Sequence, residues 1–130
     1  MADERRRRLL RRGSLPLFVH ALAEYGFGFL LIAAPFTFSF GSDAAKVISV
    51  LGGAAVIVVA VNTDYPLALF RRLPLDSHIV LDYVVSLILI ACPFVFGFSD
   101  DAASLASFLI IGIAYLTMTV MTRYHKPHEH

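Results

Sequence analysis

At 130 residues the chain is one domain's worth of protein, with 58% apolar and 16% charged residues and a formal net charge of +1. A soluble domain carries roughly 25% charged residues and is too small at this length to hide so many Leu, Ile, Val and Phe. An ordinary water-soluble fold is therefore excluded, and lipid must be the solvent for many of these side chains. A single cysteine, Cys92, excludes an internal disulfide.

Residues 1–14 form a basic arm holding Arg5, Arg6, Arg7, Arg8, Arg11 and Arg12. It resembles the n-region of a signal peptide, and Arg11-Arg12 the start of a twin-arginine address. The apolar run that follows, however, reaches Pro35 with Glu24 inside it, and no small-x-small cleavage site is convincing. The run is read as a first transmembrane helix behind a cytoplasmic arm. Such an arm lies against anionic headgroups at about 1 kcal/mol per basic residue, and a nucleic-acid role is not expected.

The first helix is expected over about 15–34, near the length that spans a bilayer core, with Pro35 ending or kinking it at the far interface. Phe36, Phe38 and Phe40 follow at alternate positions, a row that fits an extended segment or a tight turn carrying rings at headgroup level. Gly41-Ser42-Asp43 reads as a turn, and a second helix as about 44–61, with Ala45, Ser49 and Gly53 forming one smooth face for close helix approach. These segments, 15–65, make a first repeat. A linker, 66–74, carries Arg71 and Arg72.

The second repeat, 75–122, restates the first. Leu31-Ile-Ala-Ala-Pro-Phe-Thr-Phe-Ser-Phe40 recurs 58 residues on as Leu89-Ile-Ala-Cys-Pro-Phe-Val-Phe-Gly-Phe98. A third helix is expected over about 75–92, with Asp76 or Ser77 as N-cap, and a fourth over about 102–121. Ala103 and Ser107 match Ala45 and Ser49 at the same spacing, whereas Gly112 matches Gly53 only with one residue inserted. Residues 123–130 form a tail with His125, His128 and His130, which is a solvated end more readily than a metal site.

Ten of the eleven Lys and Arg residues lie in the arm, the linker and the tail, leaving only Lys46 at the acidic turns. The positive-inside rule then puts both termini and the linker in the cytoplasm. The expected fold class is an all-α integral membrane protein. Its four transmembrane helices come from two tandem, parallel two-helix repeats with pseudo-twofold symmetry about the membrane normal.

Ala34-Pro35-Phe36 with Phe40, and Cys92-Pro93-Phe94 with Gly97-Phe98, resemble the SPW-repeat family of small bacterial membrane proteins. That family carries Ser-Pro-Trp and then Gly-Phe once per two-helix repeat. The resemblance covers most of residues 17–122, with both Ser and both Trp replaced and Ser39 in place of the first Gly. It implies a four-helix membrane protein and supplies no activity.

A second repeated pattern, His20-x-x-x-Glu24-Tyr25 and His78-x-x-x-Asp82-Tyr83, sits a bilayer's thickness from the proline motifs. Residues i and i+4 share a helix face, so the two halves bring two imidazoles and two carboxylates towards one another. That donor set suits Zn²⁺, Fe²⁺ or Mn²⁺ with Tyr25 and Tyr83 behind the ligands, and it equally suits a proton relay. The plainer reading places the histidines among headgroups and pairs the carboxylates with Arg71, Arg72 or Arg123, or bonds them to the tyrosines.

No phosphate-binding glycine loop, nucleophile elbow, Cys-x-x-Cys or zincin motif is present. The leading expectation is a non-enzymatic interaction or scaffold protein, a homo-oligomer or an accessory subunit of a membrane assembly. A transport protein binding an ion, a proton or a divalent transition metal through His20, Glu24, His78 and Asp82 comes second. A redox protein holding haem through the two histidines comes third.

Overall fold

A computed structural model describes residues 15–63 and 67–122. Four helices account for nearly all of these: α1 (Leu17–Thr37), α2 (Asp43–Asn62), α3 (Leu75–Val95) and α4 (Ala102–Met121). Each has 20 or 21 residues and is apolar enough to cross a membrane. At 1.5 Å per residue that is about 30 Å, the thickness of the hydrocarbon core. The protein is an all-α membrane protein. The arginines of the basic arm and the histidines of the tail lie outside the described residues.

Pro16 and Pro74 are the N-caps of α1 and α3, both in extended backbone. Asp76, expected as a cap, instead lies in the first turn of α3, where its charge meets the positive helix end. Ser42 caps α2, its hydroxyl accepting the Ala45 N–H at 3.1 Å. Asp101 caps α4, yet its carboxylate looks elsewhere, accepting the Gly41 N–H at 3.0 Å and the Ser104 hydroxyl.

Pro35 and Pro93 do not end their helices. α1 runs on to Thr37 and α3 to Val95. A proline lacks the N–H that would bond the carbonyl four residues back, which leaves the Leu31 carbonyl without its usual donor. Ser49 of α2 supplies one, its hydroxyl donating to that carbonyl at 2.5 Å. The helices stop two residues later, where Ser39 and Gly97 adopt positive φ (53° and 73°).

Of the extended and tight-turn forms expected for the phenylalanine rows, the structure has the turn, at residues 38–39 and 96–97. Phe36 and Phe94 are exposed (75% and 62%), as interfacial anchors should be, but Phe40 and Phe98 are buried at 3% each. The left-handed residue just before each turns the chain inward. Both rings pack on Phe108 of α4, with centroids 6.4 and 4.9 Å away.

α1 packs along α2 and α3 along α4, while α1 also meets α4 across the bundle. The small-residue face of α2 is used here. A Cβ on Gly53 would lie within 2.4 Å of the Gly28 carbonyl oxygen, and one on Gly112 would lie 2.9 Å from Ile90 and 3.2 Å from Leu89. These faces serve contact within each hairpin.

The burial pattern corrects the register of α4. The buried set Ala45, Ser49, Gly53, Val56 and Ala60 corresponds, at a spacing of 59, to the buried residues Ser104, Phe108, Gly112, Tyr115 and Thr119. The two N-caps, Ser42 and Asp101, keep the same spacing. The extra residue therefore lies in the acidic turn, between Phe98 and Asp101, and Ser107 is not the counterpart of Ser49.

Candidate functional site

His20 and His78 sit one turn inside α1 and α3, and Glu24 and Asp82 one turn further. The cluster therefore lies about 5–10 Å from the N-terminal ends of both helices. All four side chains face inward and are 0–1% exposed. One ligating atom from each lies within 4.8 Å of the others.

The pairing crosses between the hairpins. His20 Nε2 meets Asp82 Oδ2 at 2.9 Å, and His78 Nε2 meets Glu24 Oε2 at 2.8 Å. Within one helix the approaches are longer, 3.8 Å from His20 Nε2 to Glu24 Oε2 and 3.1 Å from His78 Nε2 to Asp82 Oδ1. The two rings stand edge to face, 6.2 Å apart. Buried ionisable groups are expensive in a membrane and persist where they partner one another, as here.

Two threonines orient the imidazoles. Thr63 Oγ1 donates to the Val59 carbonyl at 2.6 Å and lies 2.6 Å from His78 Nδ1. Thr122 Oγ1 donates to the Met118 carbonyl at 2.6 Å and lies 2.8 Å from His20 Nδ1. A hydroxyl has one proton, and a carbonyl only accepts. Each threonine oxygen must therefore accept from the ring, so Nδ1 carries a proton in both histidines. Both Nε2 atoms are left to face the carboxylates.

Tyr115 of α4 closes the cluster. It is 1% exposed, and its hydroxyl touches Glu24 Oε1 and Asp82 Oδ1, the latter at 2.8 Å. Its ring stacks on Phe27 with centroids 5.3 Å apart. The expected tyrosines do not fill this place. The Tyr25 hydroxyl donates to the Leu67 carbonyl at 2.9 Å, and Tyr83 is 37% exposed. Each directly follows its carboxylate, which turns it about 100° round the helix and off the buried face.

Sequence reasoning missed Tyr115, Thr63 and Thr122. A tyrosine in the apolar middle of α4 needs a partner for its hydroxyl, and that signal was there to use. The threonines emerge once the 59-residue register pairs them.

A separate apolar recess of about 440 Å³ opens between α1 and α4 towards their other ends, lined by residues including Leu30, Ala34, Phe38, Ala106 and Ile110. It does not include the cluster.

Fold and site together define a small integral membrane protein of four helices whose two halves exchange buried polar contacts. The chain belongs to the SPW repeat domain family, whose pattern it matches over residues 18–122. No curated protein and no solved structure matches it.

Proposed function

We propose that this protein binds a divalent transition metal in the membrane, with His20, His78, Glu24 and Asp82 as ligands. The observation that carries the reading is the paired orientation of the histidines. Each Nδ1–H is anchored on a threonine, and each Nε2 faces a carboxylate oxygen at 2.8–2.9 Å. A donor on the outer nitrogen fixes the tautomer a metal needs and makes the inner nitrogen a better ligand. Ligand atoms of a tetrahedral Zn²⁺ site stand about 3.3 Å apart, so the pairs at 2.8–2.9 Å would open and the longer approaches, of up to 4.8 Å, would close. Two imidazoles and two carboxylates around M²⁺ also sum to zero charge, which suits a low-dielectric interior.

Haem fits less well, because the Glu24 and Asp82 carboxylates fill the space between the two Nε2 atoms where a macrocycle would lie.

The test is zinc binding to the detergent-purified chain. The expected result is about one ion per chain, lost in a His20→Gln, His78→Gln double variant that keeps its helix content and elution volume. Wild-type protein that takes up no metal from zinc, iron or manganese would leave the cluster as a packing device only.

A second reading is a non-enzymatic interaction module, a homo-oligomer or an accessory subunit. The apolar recess between α1 and α4 favours it. A strictly monomeric particle with no co-purifying partner would count against it.

In either case the protein is proposed to lie in a bacterial inner membrane with both termini and the linker cytoplasmic, and with its repeats related by a pseudo-twofold axis along the membrane normal. The charge distribution supports the orientation. The corresponding contacts support the axis. Leu15 N–H donates to the Met121 carbonyl as Leu73 N–H does to that of Asn62, and His20 meets Thr122 as His78 meets Thr63. Reporter fusions at the linker and at the Asp43 turn should report opposite sides.

A further inference from the structure

Tyr115 is the member of the cluster that the other repeat does not supply, since the 59-residue register puts Val56 in its place. It also has a specific hold on the carboxylates. Glu24 and Asp82 turn Oε2 and Oδ2 towards imidazole Nε2 atoms at 2.8 and 2.9 Å. The Tyr115 hydroxyl lies between the remaining oxygens, Glu24 Oε1 and Asp82 Oδ1, and shares its one proton between them; the second also lies 3.1 Å from His78 Nε2. The phenol is not free to swing away. Its ring is stacked on Phe27, and Gly112, three residues before it, holds α4 tightly against Ile90 and Leu89 of α3.

We propose that Tyr115 sets the metal selectivity of this centre: by occupying the second oxygen of both carboxylates it keeps each of them a one-oxygen ligand, so that the site takes a small four-coordinate ion such as Zn²⁺ and discriminates against Mn²⁺. The proposal rests on the metal-binding reading above. Its chemical basis is coordination number. Zn²⁺ is content with four nitrogen and oxygen donors, whereas Mn²⁺ favours six, rich in oxygen. A buried site walled by helices gains extra oxygens most easily when its carboxylates bind through both atoms, and the Tyr115 hydroxyl withdraws those atoms. Tyr115 is a positioning residue, acting on the ion through Glu24 and Asp82.

The experiment loads the full-length, detergent-purified chain with zinc and with manganese, each alone and in competition. X-ray absorption at the zinc edge gives the number and distance of the ligands. The expected wild-type site has four nitrogen or oxygen ligands at about 2.0–2.1 Å. In Tyr115→Phe, the zinc coordination number rises to five or six, and the preference for zinc over manganese narrows by about tenfold or more, the size of effect that outer-shell partners have on metal sites. Five- or six-coordinate zinc in the wild type would overturn the proposal, and so would a Tyr115→Phe protein with unchanged coordination and unchanged preference. Should Tyr115→Phe not fold, the wild-type coordination number decides alone. Wild-type protein that binds neither metal overturns the centre itself, an outcome distinct from a zinc site indifferent to Tyr115.

Discussion

Ser39 bears a strain that its counterpart avoids. At φ 53° it sits in the left-handed region, where Gly97 of the other repeat (φ 73°) is at ease. A side chain there costs about 1 kcal/mol, and the position closes the helix at the point where the chain must turn Phe40 inward. Ser39→Gly is therefore expected to stabilise the protein by about 1 kcal/mol, read as a higher thermal midpoint in detergent. An unchanged midpoint would mean that the turn relaxes without cost. Ser49 is the opposite case. Its hydroxyl answers the Leu31 carbonyl that Pro35 leaves without its helical donor. Ser49→Ala should cost about 1–2 kcal/mol. Ser107→Ala, at the half-buried position that simple repeat counting would equate with it, should cost far less. Equal losses would refute the register assigned to α4. The serine and the proline are both plain in the sequence. Their partnership is not, because it depends on how closely α1 and α2 cross.

At the level of the helices, close approach is set by glycine. Gly53 lets α2 lie on α1 at Gly28, and Gly112 lets α4 lie on α3 at Leu89 and Ile90. Gly53→Ala should cost about 1–3 kcal/mol by overpacking, because the atom it meets is backbone and cannot turn aside. Gly52→Ala, where an added Cβ meets nothing within 4 Å, is the matched control. A comparable loss in both would rule out overpacking against Gly28 as the cause, since helix propensity alone favours alanine at both positions. The extents of the four helices were legible from hydropathy and length. α2 and α4 begin and end within a residue of expectation, while α1 and α3 run about three residues past it, because a proline in the last turn forfeits only one bond; in α1 Ser49 also gives the Leu31 carbonyl a partner. The register of α4 was not legible, since the duplicated acidic residues Asp100 and Asp101 allow the insertion to be placed on either side of the helix start.

Across the whole molecule, the two hairpins are joined at both ends. Near the helix N-termini of α1 and α3 the histidine and carboxylate pairs cross between them. At the other end Asp101 of the second repeat accepts the backbone N–H of Gly41 from the first. The Ser104 hydroxyl foremost, and then that N–H, hold the Asp101 carboxyl below the ordinary aspartate value of 3.8. A carboxyl depressed in the folded state contributes stability that is complete above its unfolded value and is lost as pH falls through the folded one. The clasp should thus be intact at neutral pH, begin to weaken as pH falls through about 4, and open only below the lower value of the folded carboxyl. Asp101→Asn should lower the thermal midpoint at pH 7 and shrink the further drop seen on acidification. A full-sized acid drop in the variant would assign the effect to other carboxylates.

The solvent, the four helices, the duplication and the inward-facing residue types can all be read along the chain. These are local properties, written in hydropathy, in segment length and in the 58-residue recurrence of His20 with Glu24 and of Pro35 with Phe36. Which residues complete the cluster depends on how the helices pack. Tyr25 and Tyr83 recur faithfully and face away, whereas Tyr115, present in one repeat only, reaches both carboxylates from 33 and 91 residues along the chain. Thr63 and Thr122 orient the imidazoles across 15 and 102 residues. Contacts of that range are set by where helices cross and how each is rotated, and no spacing along one strand of sequence records it.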